Sequence, residues 1–172
     1  GGAGPSLEVD WAEFLGKHDP VWSFSSSDPA SFPSRWLEAP FFGDGMLGGG
    51  LRVIPNPKGG GATLRVHVGR ADVWDRRPGG GKLSMGNNFQ YDRPRLPIGW
   101  FDLPLKGSTV KSGALRINLH AGVVEGRVET DAGSVSITAY AHATESVLVV
   151  QVDASGGEAG ASGWDFVPEK SG

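Results

Sequence analysis

The chain is 172 residues long, 38% hydrophobic and 9% aromatic, with 28 glycines, 12 prolines, no cysteine and a net charge of −3. That is one domain's worth of polypeptide with a turn-rich composition that favours β over α structure. The missing cysteine removes any disulfide framework, thiolate metal site or thiol nucleophile, and no apolar run approaches the roughly 18 residues of a membrane span.

Residues 1–16 read as a flexible lead-in, within which Trp11–Leu15 can form a helical turn or two capped by Asp10, with Glu13 three residues on. Pro20 imposes extended backbone and Val21–Phe24 follows as a first strand. Ser25–Pro33 is a polar, proline-bounded loop. From Trp36 the run WLEAPFFGDGMLGGGLRVI sets Gly43, Gly45, Gly48, Gly49 and Gly50 among large apolar residues. Glycine at that density implies positive φ or the close approach of another segment. Met46–Ile54 is a second strand, stopped by Pro55 and Pro57. Thr63–Val68 is a third, with Leu64, Val66 and Val68 on one face and Arg65 and His67 on the other. Asp72–Arg77 follows its end. Residues 78–97 read as a long surface loop, and Ile98–Leu105, broken by Pro104, as a short edge strand.

The strongest periodicity lies from Leu115 to Val152. Leu115, Ile117 and Leu119 alternate with Arg116, Asn118 and His120; Val124 and Val128 alternate with Glu125, Arg127 and Glu129. Val135, Ile137, Ala139 and Ala141 alternate with Ser136, Thr138, Tyr140 and His142, and turn signals separate the runs. Val147–Val152 (VLVVQV) is apolar on both faces and so reads as central or covered. An antiparallel four-stranded meander follows. The expected fold is all-β, an antiparallel β-sandwich over residues 17–154. Residues 155–172 are then a glycine-rich tail and the start of a further strand at Trp164–Val167, as in a sandwich truncated on its C-terminal side with one unpaired edge.

Charge is uneven. Between Arg52 and Arg116 stand twelve Lys/Arg against four aspartates. The basic residues alternate with apolar ones on strands and few aromatics lie among them, so solvated strand faces are expected rather than a nucleic-acid surface. Neither nucleic acid nor a membrane is an expected partner. A chain that starts with Gly and shows no charged-then-apolar leader reads as a mature or excised fragment. Its compartment is open, with an extracytoplasmic setting slightly favoured.

Few constellations carry chemistry. Gly43-Asp44-Gly45-Met46-Leu47-Gly48 fits G-x-G-x-x-G, but Pro40 precedes it and a β-like LRVI follows, so no helix N-terminus is present to hold a phosphate. Asp72 and Asp75, with Asp44, admit three readings: acid–base hydrolysis of a glycoside, ion pairs in a loop or interface, or contact with a substrate bound mainly elsewhere. Arg70, Arg76 and Arg77 favour ionised, structural aspartates. Trp36, Trp74 and Trp100 could stack on a pyranose or anchor a core or interface. His18, His67, His120 and His142 have no ligand spacing, so neither a metal nor any other cofactor is expected.

Taken in order, HDPVW (18–22), WLEAPFFGDGMLGGGL (36–51), LRVHVGRADVWDRR (64–77), RLPIGWFDL (95–103) and ALRINLHAGVVEGRVETDAGSV (114–135) resemble the N-terminal domain of glycoside hydrolase family 95-like proteins, the α-L-fucosidases and their relatives. Asp44 stands where that family's glycine-rich segment has asparagine. The resemblance implies a supersandwich-like β-domain that leans on a catalytic (α/α)6 barrel outside this chain and takes part in carbohydrate handling. The family's acid and base belong to the barrel, so no catalytic residue is expected here. The resemblance places Trp36, Asp44, Asp72, Trp74 and Asp75 at the domain interface or the rim of the sugar pocket. A free-standing carbohydrate-binding module is the alternative.

Overall fold

The computed structural model describes residues 8–56, 60–74, 95–160 and 163–169. Two antiparallel five-stranded sheets face each other, so the chain is an all-β sandwich. After a short helix α1 (Trp11–Gly16) come β1 (Val21–Ser25), β2 (Phe41–Gly43), β3 (Leu47–Pro55), β4 (Ala62–Trp74) and β5 (Arg95–Pro104). Then follow β6 (Val110–Asn118), β7 (Val123–Thr130), β8 (Gly133–Ala141), β9 (Leu148–Gly156) and β10 (Asp165–Pro168). The first sheet runs β1-β6-β7-β8-β9 and the second β10-β5-β4-β3-β2.

Alternation in the sequence becomes the core directly. Leu115, Ile117, Val124, Val128, Val135, Ile137 and Ala139 of the first sheet meet Leu51, Val53, Leu64, Val66 and Leu103 of the second, all buried. Each fully buried aliphatic contributes about 1.5–3 kcal/mol relative to exposure. The expected meander is present as β6–β9, antiparallel throughout and in unbroken register except for a shift between Val110 and Ser112 on β6. The α1 N-cap also forms: Asp10 Oδ1 accepts from Glu13 N at 2.9 Å. The Glu13 carboxylate turns forward to Lys17 Nζ at 2.7 Å.

Four expectations are corrected. β4 continues through Trp74, so Asp72 and Trp74 lie on a strand and not beyond its end. It does so by leaving the β5 ladder at Gly69 and rejoining it where Trp74 pairs with Arg95. β5 is interior, not an edge, because β10 pairs with its far side. Its prolines are tolerated because Pro97 sits beside that irregularity and Pro104 closes the strand. Gly99, at φ +146, leaves the room that the Val167 carbonyl of β10 fills. β9, the VLVVQV strand, is not central but the outer edge of its sheet, with Leu148, Val149, Val150 and Val152 only partly buried. Finally, β2 and two 3-10 turns (Pro29–Ser31 and Trp36–Glu38) occupy segments without strand or helix periodicity. Most of the expected loop over residues 78–97 lies outside the described residues; Arg95–Pro97 begins β5.

The two ends of the sandwich differ. At one end the β5–β6 connection folds over Glu158, which is 1% exposed. At the other, the sheets part around a cleft of about 410 Å³ lined by Leu47, Val66, Val68, Phe101, Leu148, Val150 and Trp164.

Candidate functional site

The glycine-rich hairpin β2–β3 is built by Asp44 and two glycines with different tasks. Asp44 Oδ1 accepts from Met46 N at 2.8 Å and Leu47 N at 2.7 Å, an aspartate turn that closes the hairpin. Gly45 takes φ +93 within it. Gly49 leaves space for the Phe42 ring, which lies 2.8 Å from where a Cβ would stand. The G-x-G-x-x-G letters thus describe a hairpin with no helix after it.

Beside this turn, Leu47 pairs with Arg70 and Met46 O accepts from Ala71 N at 2.7 Å. Arg70 grips Asp72 with two bonds of 2.9 Å. The structure therefore brings Asp44, Arg70 and Asp72 to one end of the second sheet. Hydrogen bonds from Leu47 and Met46 amides hold the Asp44 carboxyl below its usual range, and the Arg70 side chain does the same for Asp72. Glycoside hydrolysis needs one carboxyl with a raised pKa as proton donor. Neither of these is one.

Trp74 closes this rim with the Arg95 guanidinium carbon 5.0 Å from its ring centre. Trp36 belongs to the 3-10 turn that crosses β3 at Gly50. Glu38 pins that turn by accepting from Ser34 N, Ser34 Oγ, Arg35 N and Arg35 Nε at 2.7–3.1 Å, which lowers its pKa to about 2. Arg52 Nη2 donates to Ser34 O at 2.8 Å and ties the turn to β3. Trp36 is left 64% exposed, beside Leu37 at 63%, with Phe41 at 71% nearby on β2. Asp75 lies outside the described residues.

A second cluster, on the outer face of the same sheet, needed strand register to find. Arg65 is opposite Asp102, His67 opposite Trp100, and Arg52 opposite Arg65. Arg65 makes a bidentate pair with Asp102 at 2.7 and 2.8 Å while its guanidinium covers the Trp100 ring at 4.5 Å. Burial, with Arg52 and Arg65 close by, pushes His67 down to about 4. His67 Nε2, Trp100 Nε1 and Arg52 Nε are buried without a hydrogen-bond partner. At neutral pH this cluster holds a neutral imidazole between two cations. The alternation of Arg65 and His67 was visible in sequence, but their partners on β5 were not.

Trp74 and Trp100 each have a guanidinium against the ring. Among the described residues no cation or ring covers Trp36. Among the described residues, too, no group of three His, Asp or Glu side chains converges as a metal site, and no helix is long and apolar enough to cross a membrane. No family model, curated protein or solved structure matches this chain.

Proposed function

We propose that these residues are the non-catalytic β-sandwich part of a glycoside hydrolase, packing on a catalytic helical barrel and contributing to the rim of its sugar pocket. The observation that carries this reading is the uncovered apolar flank of Trp36, Leu37 and Phe41, held outward by a turn that Glu38 and Arg52 lock in place. Large apolar groups fixed in an exposed position suit a surface that another domain covers. The aspartates support the same reading through what they lack: both are ionised, turn-forming or ion-paired, and offer no acid–base couple.

Two measurements test it. Residues 1–172 alone should not cleave nitrophenyl α-L-fucoside, and calorimetric titration with fucosylated or plain oligosaccharides should give no heat. Hydrolysis by these residues alone would overturn the proposal. A saturable sugar affinity lost in Trp36→Ala would replace it with a free-standing carbohydrate-binding module, since Trp36 is the rim tryptophan with an open ring face.

A further inference from the structure

The cleft between the sheets and the outer edge of β9, which pairs with no further strand among the described residues, form one surface, and Leu148 and Val150 belong to both. His142 N donates to Val147 O at 2.9 Å, and Gly157 N to Ala132 O at 2.7 Å. Both pairs continue the β8–β9 register. In an antiparallel ladder, hydrogen-bonded pairs alternate along the strand, so Val149, Gln151, Asp153 and Ser155 bond to β8. Leu148, Val150, Val152 and Ala154 therefore turn their N–H and C=O groups away from the sheet, along its open edge. The side chains of Leu148 and Val150 line the cleft, and those of Val152 and Ala154 pack against the core.

The second sheet overhangs this edge. The sheets come closest where β2 crosses β7 and β8 and where β3 meets β9. β4, β5 and β10 continue past that line, with the tilted rings of Phe101 and Phe166 in contact, 4.9 Å between centroids, and both exposed. A sandwich crossing angle of about 30°, accumulated over a strand of ten residues such as β5, displaces one sheet sideways by roughly 16 Å, or about three strand spacings.

We infer that β9 accepts an added β-strand from a partner polypeptide, whose inward side chains fill the cleft beneath Phe101, Val66 and Val68. The geometry specifies the occupant. Positions opposite Leu148 and Val150 must be aliphatic, because they face the apolar cleft, and the one opposite Val152 because it continues that face beside the core. The intervening positions lie beside Val149, Gln151 and Asp153 on the outer face. Asp153 accepts only from Gln151 Nε2, at 3.0 Å, and has no basic partner among the described residues, so a lysine or arginine fits beside it. A second copy of this chain does not fit. Pairing β9 with β9 about a two-fold axis would drive each copy's second sheet into the overhanging β5 and β10 of the other. This inference does not depend on the sugar reading.

The test uses a fluorescein-labelled decapeptide alternating valine with threonine and lysine, titrated against the chain by fluorescence anisotropy. Saturable binding is expected, at least about tenfold tighter than for a peptide of the same composition with its valines clustered. Val150→Pro removes an outward N–H that β8 does not use, and should weaken binding by about tenfold or more. If that variant melts early, the same peptide N-methylated at alternate amides makes the measurement on the unaltered chain, with the same loss expected. Asp153→Lys should weaken binding of the lysine-bearing peptide several-fold. Failure to bind, equal affinity for the clustered and N-methylated peptides, or a β9-dependent dimer in sedimentation would each overturn the inference.

Discussion

The two ends of the sandwich are built from similar residues yet finished in opposite ways. At the Glu158 end, a buried carboxylate takes donors from Lys106 N and Gly107 N at 2.8 Å and from Thr130 Oγ1 at 2.6 Å. Gly107 has no room for a side chain against Thr130. Lys106 Nζ adds bonds to Ala159 O and Gly160 O at 2.7 and 2.8 Å. At the cleft end, Phe101, Leu148, Val150 and Trp164 face a gap, and among the described residues every side chain lining it is apolar. A carboxylate can close a sandwich because it satisfies several backbone donors at once. Apolar surfaces that meet nothing have no such way to close.

The sharpest way to break this comparison is to cut equally into both sides. Leu64→Ala, in the fully packed region, should lower unfolding free energy by about 2–5 kcal/mol, whereas Leu148→Ala at the cleft should cost less than about 1 kcal/mol. Urea denaturation would check both, and equal losses would mean the cleft is already filled. Glu158→Ala should follow closely, at about 2–4 kcal/mol, because it leaves the Lys106 and Gly107 amides of the closed end unpaired.

Acid separates the regions further. Burial raises the Glu158 carboxyl and its hydrogen bonds from Thr130, Lys106 and Gly107 lower it more, so its pKa lies below the usual range. The stability it supplies is complete above the unfolded pKa near 4.5 and is lost as pH falls through the folded value. His67 acts in a different window. Its folded pKa of about 4 lies below the ordinary 6.5, so the unfolded chain binds the proton more readily. Stability then declines as pH falls from 6.5 toward 4, by about 1–2 kcal/mol once the partly exposed ring is discounted for screening. Thermal melts of His67→Gln should flatten that limb, and Glu158→Gln the limb below it. The smallest effect is expected at the rim: Trp36→Ser should change stability by no more than about 0.5 kcal/mol, because Trp36 is 64% exposed.

The sequence was most legible where one rule decided the outcome. Period-two alternation with turns between gave β6–β8 and the core row from Leu115 to Ala139. Asp10 before WAEFL gave α1. Where two rules competed, local reading failed. Apolar residues on both faces of VLVVQV suggested burial, but Val149 is an outward valine on an edge strand, Leu148 and Val150 face a cleft, and Val152 packs on the core. Pro104 suggested an edge, though it is the last residue of β5, where it closes the strand. The rim was partly legible: Asp44, Asp72 and Trp74 do gather at one end of the second sheet, yet the roles of the aspartates depend on Leu47 N and on Arg70. The clusters around His67 and Glu158 were illegible for a simpler reason. Each joins residues that only strand register or a fold-back of the glycine-rich stretch brings together.

Hydrogen exchange by NMR on the free chain tests the central claim about the open edge most directly. The account expects Val149, Gln151, Asp153 and Ser155 amides to be protected, with those of Leu148, Val150, Val152 and Ala154 exchanging rapidly between them. Uniform protection along β9 would contradict it, because the edge would then already be paired and the cleft would have nothing left to receive.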